Sequence, residues 1–348
     1  MRGTFFRPRS ASVVCKARLQ VEVLEGRELL SASPWLDPPA EPARILVGWR
    51  ESPGQPTRVD LGPGESLDAA LARLRSDPRV SYAEPDYEVR LSIIPNDPQF
   101  GSLYGLHNTG QNYGKVDADI DAPEAWDITT GSSRTIVAVI DTGIDYRHGD
   151  LYRNIWVNQG EIPVEIKARL TDIDSDGLIT FWDLNDSRNQ GIGKITDQNG
   201  NSRIDASDIL KPYKSDGTGG WANGGSDDGD GFVDDLVGWD FVNSDNDPFD
   251  DNGHGTHVSG TIGATGNDGV GVAGINWRVQ IMALKFLGAS GTGNTSNAVD
   301  ALNYAVAHGA KISNNSWGGS GYSQALFDAI ASARSRGHIF VAAAGNDG

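Results

Sequence analysis

Cysteine is nearly absent from the 348 residues, with Cys15 the only one. A single thiol excludes an intrachain disulfide and any zinc site that needs two or more cysteines. Basic charge is also scarce. There are 29 Lys and Arg against 47 Asp and Glu, a net charge of −18, so the chain lacks the basic surplus that a nucleic-acid partner requires. No stretch approaches the ~20 apolar residues of a membrane helix. The first 33 residues carry six basic and three acidic groups but not the apolar centre of about 7–15 residues that marks a secretory signal peptide. What is present is a 38% hydrophobic complement, enough for a packed core, in a length that corresponds to about two domains.

The acid is concentrated. Residues 150 to 250 hold 21 Asp and Glu against 8 Lys and Arg. A dense Asp/Asn/Gly region is either a solvated loop or a cation site. With no disulfide available, bound calcium is the obvious staple for a chain that works outside the cell.

Composition divides the chain. Residues 1–33 read as a leader, in which Leu24 to Ser31 (LEGRELLS) resembles a short sorting segment found near the N-terminus of certain exported proteins. This points to a secreted or extracytoplasmic location. Pro34, Pro38, Pro39 and Pro42 make 34–42 a linker. Residues 43–92 read as a small α+β unit. Ile45 to Trp49 forms a strand, and Ser66 caps a helix with Leu67, Ala70, Leu71 and Leu74 on one face. Pro78 ends that helix, and Val80 and Tyr82 alternate as in a half-buried strand. From about residue 97 strands and helices alternate. Thr135 to Ile140 (TIVAVI), Gln280 to Leu287 and Ile339 to Ala344 are nearly continuous apolar runs, as in strands buried on both faces. Ser296 is placed to cap a helix bearing Val299, Leu302 and Val306. Strand, helix, strand at this spacing implies an α/β fold with a mostly parallel sheet flanked by helices. Ligands of such sheets sit at the carboxyl ends of the strands, where the polar motifs fall.

Asp141 directly follows the first buried strand. A carboxylate there can orient a histidine and stabilise the imidazolium formed during proton transfer. His254 lies among small residues in Asn252-Gly253-His254-Gly255-Thr256-His257, which lets a substrate approach the ring. His254 and His257 do not form the zincin metal pair, which needs a spacing of four with a Glu between; His257 reads as a structural residue packed near the helix. Asn346 ends a third motif, Ala342-Ala343-Ala344-Gly345-Asn346. An amide at a strand end can donate to a developing oxyanion.

Together these motifs resemble the subtilisin-like serine proteases, the subtilase family. The resemblance runs from about residue 94 to the end and includes Ile120 to Trp126 and Asn314 to Gly319. It implies a catalytic Asp141, a catalytic His254 and an oxyanion-stabilising Asn346. The magnitude attached to such a donor, about 2.7–4 kcal/mol, comes from subtilisin itself and not from this chain. It further implies that Ser316, Trp317 and Gly318 on one side, and Gly291, Thr292 and Gly293 on the other, bind an extended peptide by β-augmentation. Residues 43–92 then correspond to a propeptide that acts as an intramolecular inhibitor, and the substrates are proteins or peptides. The family nucleophile, in a Gly-Thr-Ser segment after the oxyanion Asn, has no counterpart among the 348 residues. The expectation is therefore a catalytic domain (97–348) incomplete at its C-terminus and inactive as it stands.

A second departure is an insert, 164–226, between two segments, Asn158 to Pro163 and Asp228 to Asp235, that look like parts of one family loop. It carries two twelve-residue calcium-loop patterns. Asp172, Asp174, Asp176, Gly177, Leu178, Thr180 and Asp183 take positions 1, 3, 5, 6, 7, 9 and 12 of the first. Asp197, Asn199, Asn201, Ser202, Arg203, Asp205 and Asp208 take the same positions of the second. Leu178 and Arg203 would give a backbone carbonyl, and Ile179 and Ile204 could pair the loops, as in a dockerin or EF-hand pair. The second loop lacks Gly at position 6. Asp150 and Asp268 match a calcium site of the family, and Asp228, Asp230 and Asp234 form a further acidic cluster. The reading is a calcium-stabilised serine endopeptidase precursor. The alternatives are a non-catalytic calcium-binding or partner-docking module, and a pseudoprotease, which the exposed edges of an incomplete sheet argue against.

Overall fold

The computed structural model describes residues 44–86, 93–319 and 321–346. The leader, the linker and Cys15 lie outside these residues, as does the end of the propeptide-like segment after Asp86. The chain divides into two compact units, Met1–Arg90 and Leu91–Gly348.

In the first unit, β1 (Arg44–Trp49) lies between β2 (Ser52–Asp60) and β3 (Val80–Pro85), antiparallel to both. Helix α1 (Leu67–Arg75) begins where Ser66 Oγ accepts from the N–H of Ala69, and buries Ala70, Leu71 and Leu74. These pack with Ile45, Val47, Val80 and Ala83. Two expectations need correction. Strand β2 is absent from the sequence reading because it carries Pro53, Gly54 and Pro56; its residues are almost all exposed, and proline is tolerated on such an edge. Tyr82 is exposed rather than half-buried. A register shift between Gly48 and Trp49 sets Val80 opposite Trp49 and Tyr82 opposite Gly48, so the buried residues of β3 are Val80 and Ala83. The Tyr82 ring instead covers Gly48, where a Cβ would meet it at 2.2 Å.

The second unit is a five-stranded parallel sheet in the order β5-β6-β4-β7-β8, formed by β4 (Gly131–Asp141), β5 (Gly238–Asp240), β6 (Arg278–Lys285), β7 (Ile312–Asn315) and β8 (Ile339–Ala342). The two central strands are buried on both faces. Val137, Val139, Ile281 and Ala283 enter one core, and Ala138, Ile140, Met282 and Leu284 the other. Helix α2 (Ala122–Trp126) precedes the sheet, with Pro123 in its first turn. Helices α7 (Thr295–Ala307) and α8 (Gln324–Ser335) contribute Leu302, Tyr304, Ala329 and Ala333 to the second core. The N-cap of α7 is Asn294, not Ser296. The N-cap of α8 is Ser323, whose hydroxyl accepts from the N–H of Leu326.

The insert shares the first core with the sheet. Its short helices α3 (Val164–Lys167), α4 (Phe181–Leu184) and α5 (Ala206–Ile209) bring Ile166, Phe181, Leu184 and Ile209 against Val137 and Ile281. Helix α6 (His254–Gly263) lies on the same side, with Val258 and Ile262 against that core. The chain leaves β4 toward β5 and β6 on one side and reaches β7 and β8 on the other. The carboxyl end of β4 is thus the point where the strand order reverses, the position at which such sheets open a crevice for ligands.

Candidate active site

Asp141 ends β4 and is fully buried, and His254 is the first residue of α6. His254 Nδ1 lies 2.7 Å from Asp141 Oδ1. A carboxylate only accepts, so Nδ1 carries the proton and Nε2 presents its lone pair outward. The imidazole is 47% exposed while its partner has no solvent contact. Among the described residues no hydroxyl is hydrogen-bonded to Nε2. Asp141 Oδ1 also accepts from the N–H of Thr142 at 2.8 Å, and Oδ2 is buried with no partner.

The helix start is held against the strand end by a network that the sequence reading did not identify. Asp250 accepts from the N–H groups of Asn252, Gly253 and Thr256 and from the hydroxyls of Thr142 and Thr256. Burial opposes its charge, but these bonds outweigh burial and hold its carboxyl below the usual range. Thr142 Oγ1 in turn accepts from the N–H of Gly255 at 2.9 Å. Gly255 is required by contact: a Cβ there would lie 2.1 Å from the Gly143 carbonyl oxygen and 3.2 Å from Asp141 Cβ. Lys285, at the end of β6 and opposite Asp141 in the sheet register, is buried. Its Nζ donates to the Thr142 and Leu287 carbonyls at 2.7 and 2.9 Å and to Asp251 Oδ1 at 2.7 Å. The only sequence signals were a lone cation closing an apolar strand and a pair of acids three and four residues before His254.

A cleft of about 480 Å³ opens over this pair, lined by His254, Asn252, Gly291, Thr292, Gly293, Ser316, Trp317 and Gly318 among others. Both segments that the resemblance assigned to peptide binding therefore face the same space as the imidazole. Gly291 to Gly293 lie in the loop after β6, closed by an antiparallel bridge between Leu287 and Gly293. A side chain at Gly293 would strike the Phe286 carbonyl at 2.2 Å. Ser316 to Gly318 follow β7 directly, and the Trp317 ring packs edge-on against Phe286 with centroids 4.8 Å apart. Asn346 is exposed beyond β8 and is not among the residues lining the cleft. His257 is exposed on α6, not packed. It borders a larger cavity, about 730 Å³, on another flank of the helix, with Gly260, Thr261 and Leu103.

The two acidic loops of the insert are folded alike. In the first, Asp172 accepts from the N–H of Asp176 and Gly177, and Asp183 from those of Ile173 and Thr180. In the second, Asp197 accepts from Gly200, Asn201 and Ser202, and Asp208 from Gln198 and Asp205. Positions 4 and 6 are left-handed in both: Ser175 (φ 60°) and Gly177 (φ 90°), then Gly200 (φ 75°) and Ser202 (φ 67°). The missing glycine is thus replaced by a serine that adopts the same conformation. Among the described residues no hydrogen bond uses the carbonyls of Leu178 or Arg203, which leaves both free as ligands. Carboxylate oxygens of Asp172, Asp174 and Asp183 lie within 4.8 Å of one another. Asp176 turns one oxygen to the Leu178 N–H, while Asn199 and Asn201 donate to Asp205.

The expected pairing of Ile179 with Ile204 is replaced by a different device. Gln159 bonds both the N–H and the carbonyl of Ile179, and Asn185 does the same for Ile204. Asp268 feels the charge of Asp150 and also of Asp97, which sequence reading missed. Burial, aided by Asp97 and Asp150, raises the Asp268 carboxyl. Asp97 Oδ1 and Asp150 Oδ1 are buried without partners. Asp234 faces away from Asp228 and Asp230, bonding Asn223 and Gly224 instead.

The family model for subtilases matches residues 132–348. The chain is 30% identical to a thermophilic serine proteinase of Bacillus sp. (strain AK1), over 81% of this chain and 48% of that protein. It is 28% identical to thermitase of Thermoactinomyces vulgaris, over 73% and 58%, and 29% identical to an extracellular protease of Xanthomonas campestris pv. campestris, over 83% and 43%. The chain spans about half the length of these curated relatives. With the family model covering more than half of its residues, the chain belongs to the subtilase family of serine peptidases.

Proposed function

We propose that this chain belongs to a secreted, calcium-stabilised serine endopeptidase that hydrolyses peptide bonds by acyl transfer. The observation that carries the reading is the 2.7 Å bond between buried Asp141 and half-exposed His254, set over a cleft that both glycine-bearing segments line. His254 Nε2 acts first as general base toward a serine hydroxyl and then as acid toward the leaving amine. Asp141 fixes the tautomer and stabilises the imidazolium. Asn346 is the oxyanion donor that the family motif implies, although it stands outside the cleft here, and the backbones of Gly291–Gly293 and Ser316–Gly318 hold the substrate as an added strand. Residues 43–92 act as an intramolecular inhibitor until they are cleaved. An extracellular relative and the leader support export.

Calcium would be held by Asp172, Asp174, Asp176, Leu178 and Asp183 in the first loop, and by Asp197, Asn199, Asn201, Arg203 and Asp208 in the second. The free carbonyls and left-handed turns fit a hard cation. Asp150 and Asp268, with Asp97 beside them, fit a further ion, Asp97 and Asp150 each burying one oxygen without a partner. Calcium supplies charge neutralisation and a cross-link at these places.

No Gly-Thr-Ser segment supplies a nucleophile among these residues, so the chain up to the codon for Gly348 is expected not to hydrolyse peptides by itself. Sequencing of the gene past that codon tests this, followed by expression of the full reading frame. An in-frame Gly-Thr-Ser segment and peptide hydrolysis that falls at least about a thousandfold in His254→Ala are expected. Specific hydrolysis by the 348 residues, or full activity in the His254 variant, would refute the mechanism. A stop codon after Gly348 would leave the calcium-binding, partner-docking reading in its place.

A further inference from the structure

Three polar side chains are buried beside β7 and β8, away from the cleft. Ser313, Asn315 and His338 are 0%, 1% and 5% exposed, and none of them lines the space over His254. Ile312 packs against the first core, so strand alternation points Ser313 and Asn315 to the opposite face. Phe340, the register partner of Ser313, packs against the second core.

Their hydrogen bonds form one directed chain. The His338 N–H donates to the Ala333 carbonyl at 3.1 Å, and Nδ1 lies 2.8 Å from the Ala310 carbonyl oxygen. A carbonyl only accepts, so Nδ1 carries the proton of the neutral ring, and Nε2 accepts from the Ser313 hydroxyl at 2.9 Å. With its proton so committed, Ser313 Oγ accepts from Asn315 Nδ2 at 3.0 Å. Nδ2 also lies 3.1 Å from the Ser313 carbonyl and 3.1 Å from the Val341 carbonyl. A reversed amide would turn Oδ1 toward both carbonyls, so its orientation is fixed. Oδ1 itself is buried with no partner. An unfilled buried acceptor costs stability, so an apolar side chain of the same size would serve the core at least as well. The amide is explained by what it holds in place.

Asn315 forms the last register pair of β7 and β8, with Ala342, and its carbonyl accepts from the Ala343 N–H at 3.0 Å. Beyond this pair the two chains part. One continues as Ser316–Gly318 at the cleft, the other as the segment that ends in Asn346. We propose that Asn315 is a positioning residue for peptide hydrolysis: its amide, oriented by His338 through Ser313, sets the separation of the substrate-binding strand and the oxyanion segment where they fork. The inference rests on the protease reading of those two segments. It adds to that reading a buried relay that does not touch His254.

The test uses the enzyme expressed from the full reading frame and a peptide copied from a site that the parent cleaves in casein. Asn315→Leu keeps most of the volume, removes the donors and should melt no lower than the parent. Its KM should rise and its kcat fall, lowering kcat/KM by about tenfold to a hundredfold, the scale set by a small misplacement of reacting groups. A merely structural role would reduce the fraction of active enzyme, which lowers apparent kcat and leaves KM unchanged. Ser313→Ala should move both constants in the same directions, and should add nothing in the Asn315→Leu background, because the hydroxyl acts through the amide. If Asn315→Leu does not fold, Ser313→Ala alone decides. Constants equal to the parent's, a fall in kcat without a rise in KM, or additive losses in the double variant overturn the inference and leave the protease reading intact. A parent without peptidase activity overturns both.

Discussion

Replacing Lys285 by methionine isolates the contribution of one buried ammonium to the architecture under His254. Methionine conserves most of the volume, so no large cavity follows. The substitution removes three hydrogen bonds: to the Thr142 carbonyl, to the Leu287 carbonyl and to Asp251. The third contributes little, because Asp251 has 47% of its side chain exposed and is resolvated; exposed pairs are worth about 0–1 kcal/mol. The two carbonyls belong to the strand ends and lose a charged donor. Hydrogen bonds to charged groups contribute about 1.5–3 kcal/mol each. The recovered desolvation cost of the ammonium offsets part of this, so a net loss of about 3 kcal/mol is expected. For a unit of this size that lowers the melting temperature by about 6–12 °C. Thermal unfolding followed by circular dichroism measures it, with Asp251→Asn as the control for the ion pair, expected to shift by no more than about 4 °C. A Lys285→Met protein that melts with the parent would show that the ammonium does not hold the strand ends together.

Gly255→Ala should separate the acid–base pair. The added methyl group, 2.1 Å from the Gly143 oxygen, must retreat by about 1 Å, which outweighs the gain of about 1 kcal/mol in helix propensity and costs about 1–3 kcal/mol net; loss of the His254 Nδ1–H resonance from the proton spectrum reports it, and its persistence would contradict the contact. Calcium should protect residues 164–226 from an added protease while EDTA exposes them, and identical digestion patterns would count against both loops. Ser202→Gly should relieve a left-handed serine that costs about 1–2 kcal/mol, and raise calcium affinity of the second loop severalfold in calorimetric titration. An unchanged or lower affinity would mean that the conformation at position 6 is not what limits that loop.

Much of this was legible because it depends on period and on strand ends. TIVAVI could bury two faces only in the middle of a sheet, and Asp141 immediately after it had to emerge at the carboxyl edge. His254, Ser316 and Gly291 came instead from the family motifs, which could not say that all face one cleft. Some of the misses depend on a partner far away in the chain, and others on local backbone features. Lys285 reads as a surface cation until Thr142, Leu287 and Asp251 surround it. Asp235, not Asp234, joins Asp228, because Asp234 is drawn off by the N–H groups of Asn223 and Gly224. Strand β2 was hidden by its own prolines, which are admissible only because no strand lies on its outer side. Asn294 displaced Ser296 as a cap because the helix starts at Thr295, a boundary that neither residue type decides alone.

The insert reads as an appendage in the sequence but is joined to the sheet by three kinds of contact. Phe181, Ile179 and Ile204 enter the core that Val137, Val139 and Ile281 share. Arg134 donates to the Asp176 carbonyl, and Arg278 pairs with Asp174 at 3.2 Å, so the first loop is fastened at the start of β4 and β6. Arg203 lies over the Tyr152 ring at 4.5 Å and donates to the Arg147 carbonyl, which fastens the second loop to the segment that follows Asp141. An ion that orders the first loop therefore acts on strands β4 and β6, whose far ends carry Asp141 and Lys285, and one in the second loop acts on the segment after Asp141. Because the loops share one conformation, with glycine and serine exchanged between positions 4 and 6, they present the sheet with two similar clamps. The first restrains the starts of β4 and β6 and the second the segment from Arg147 to Tyr152.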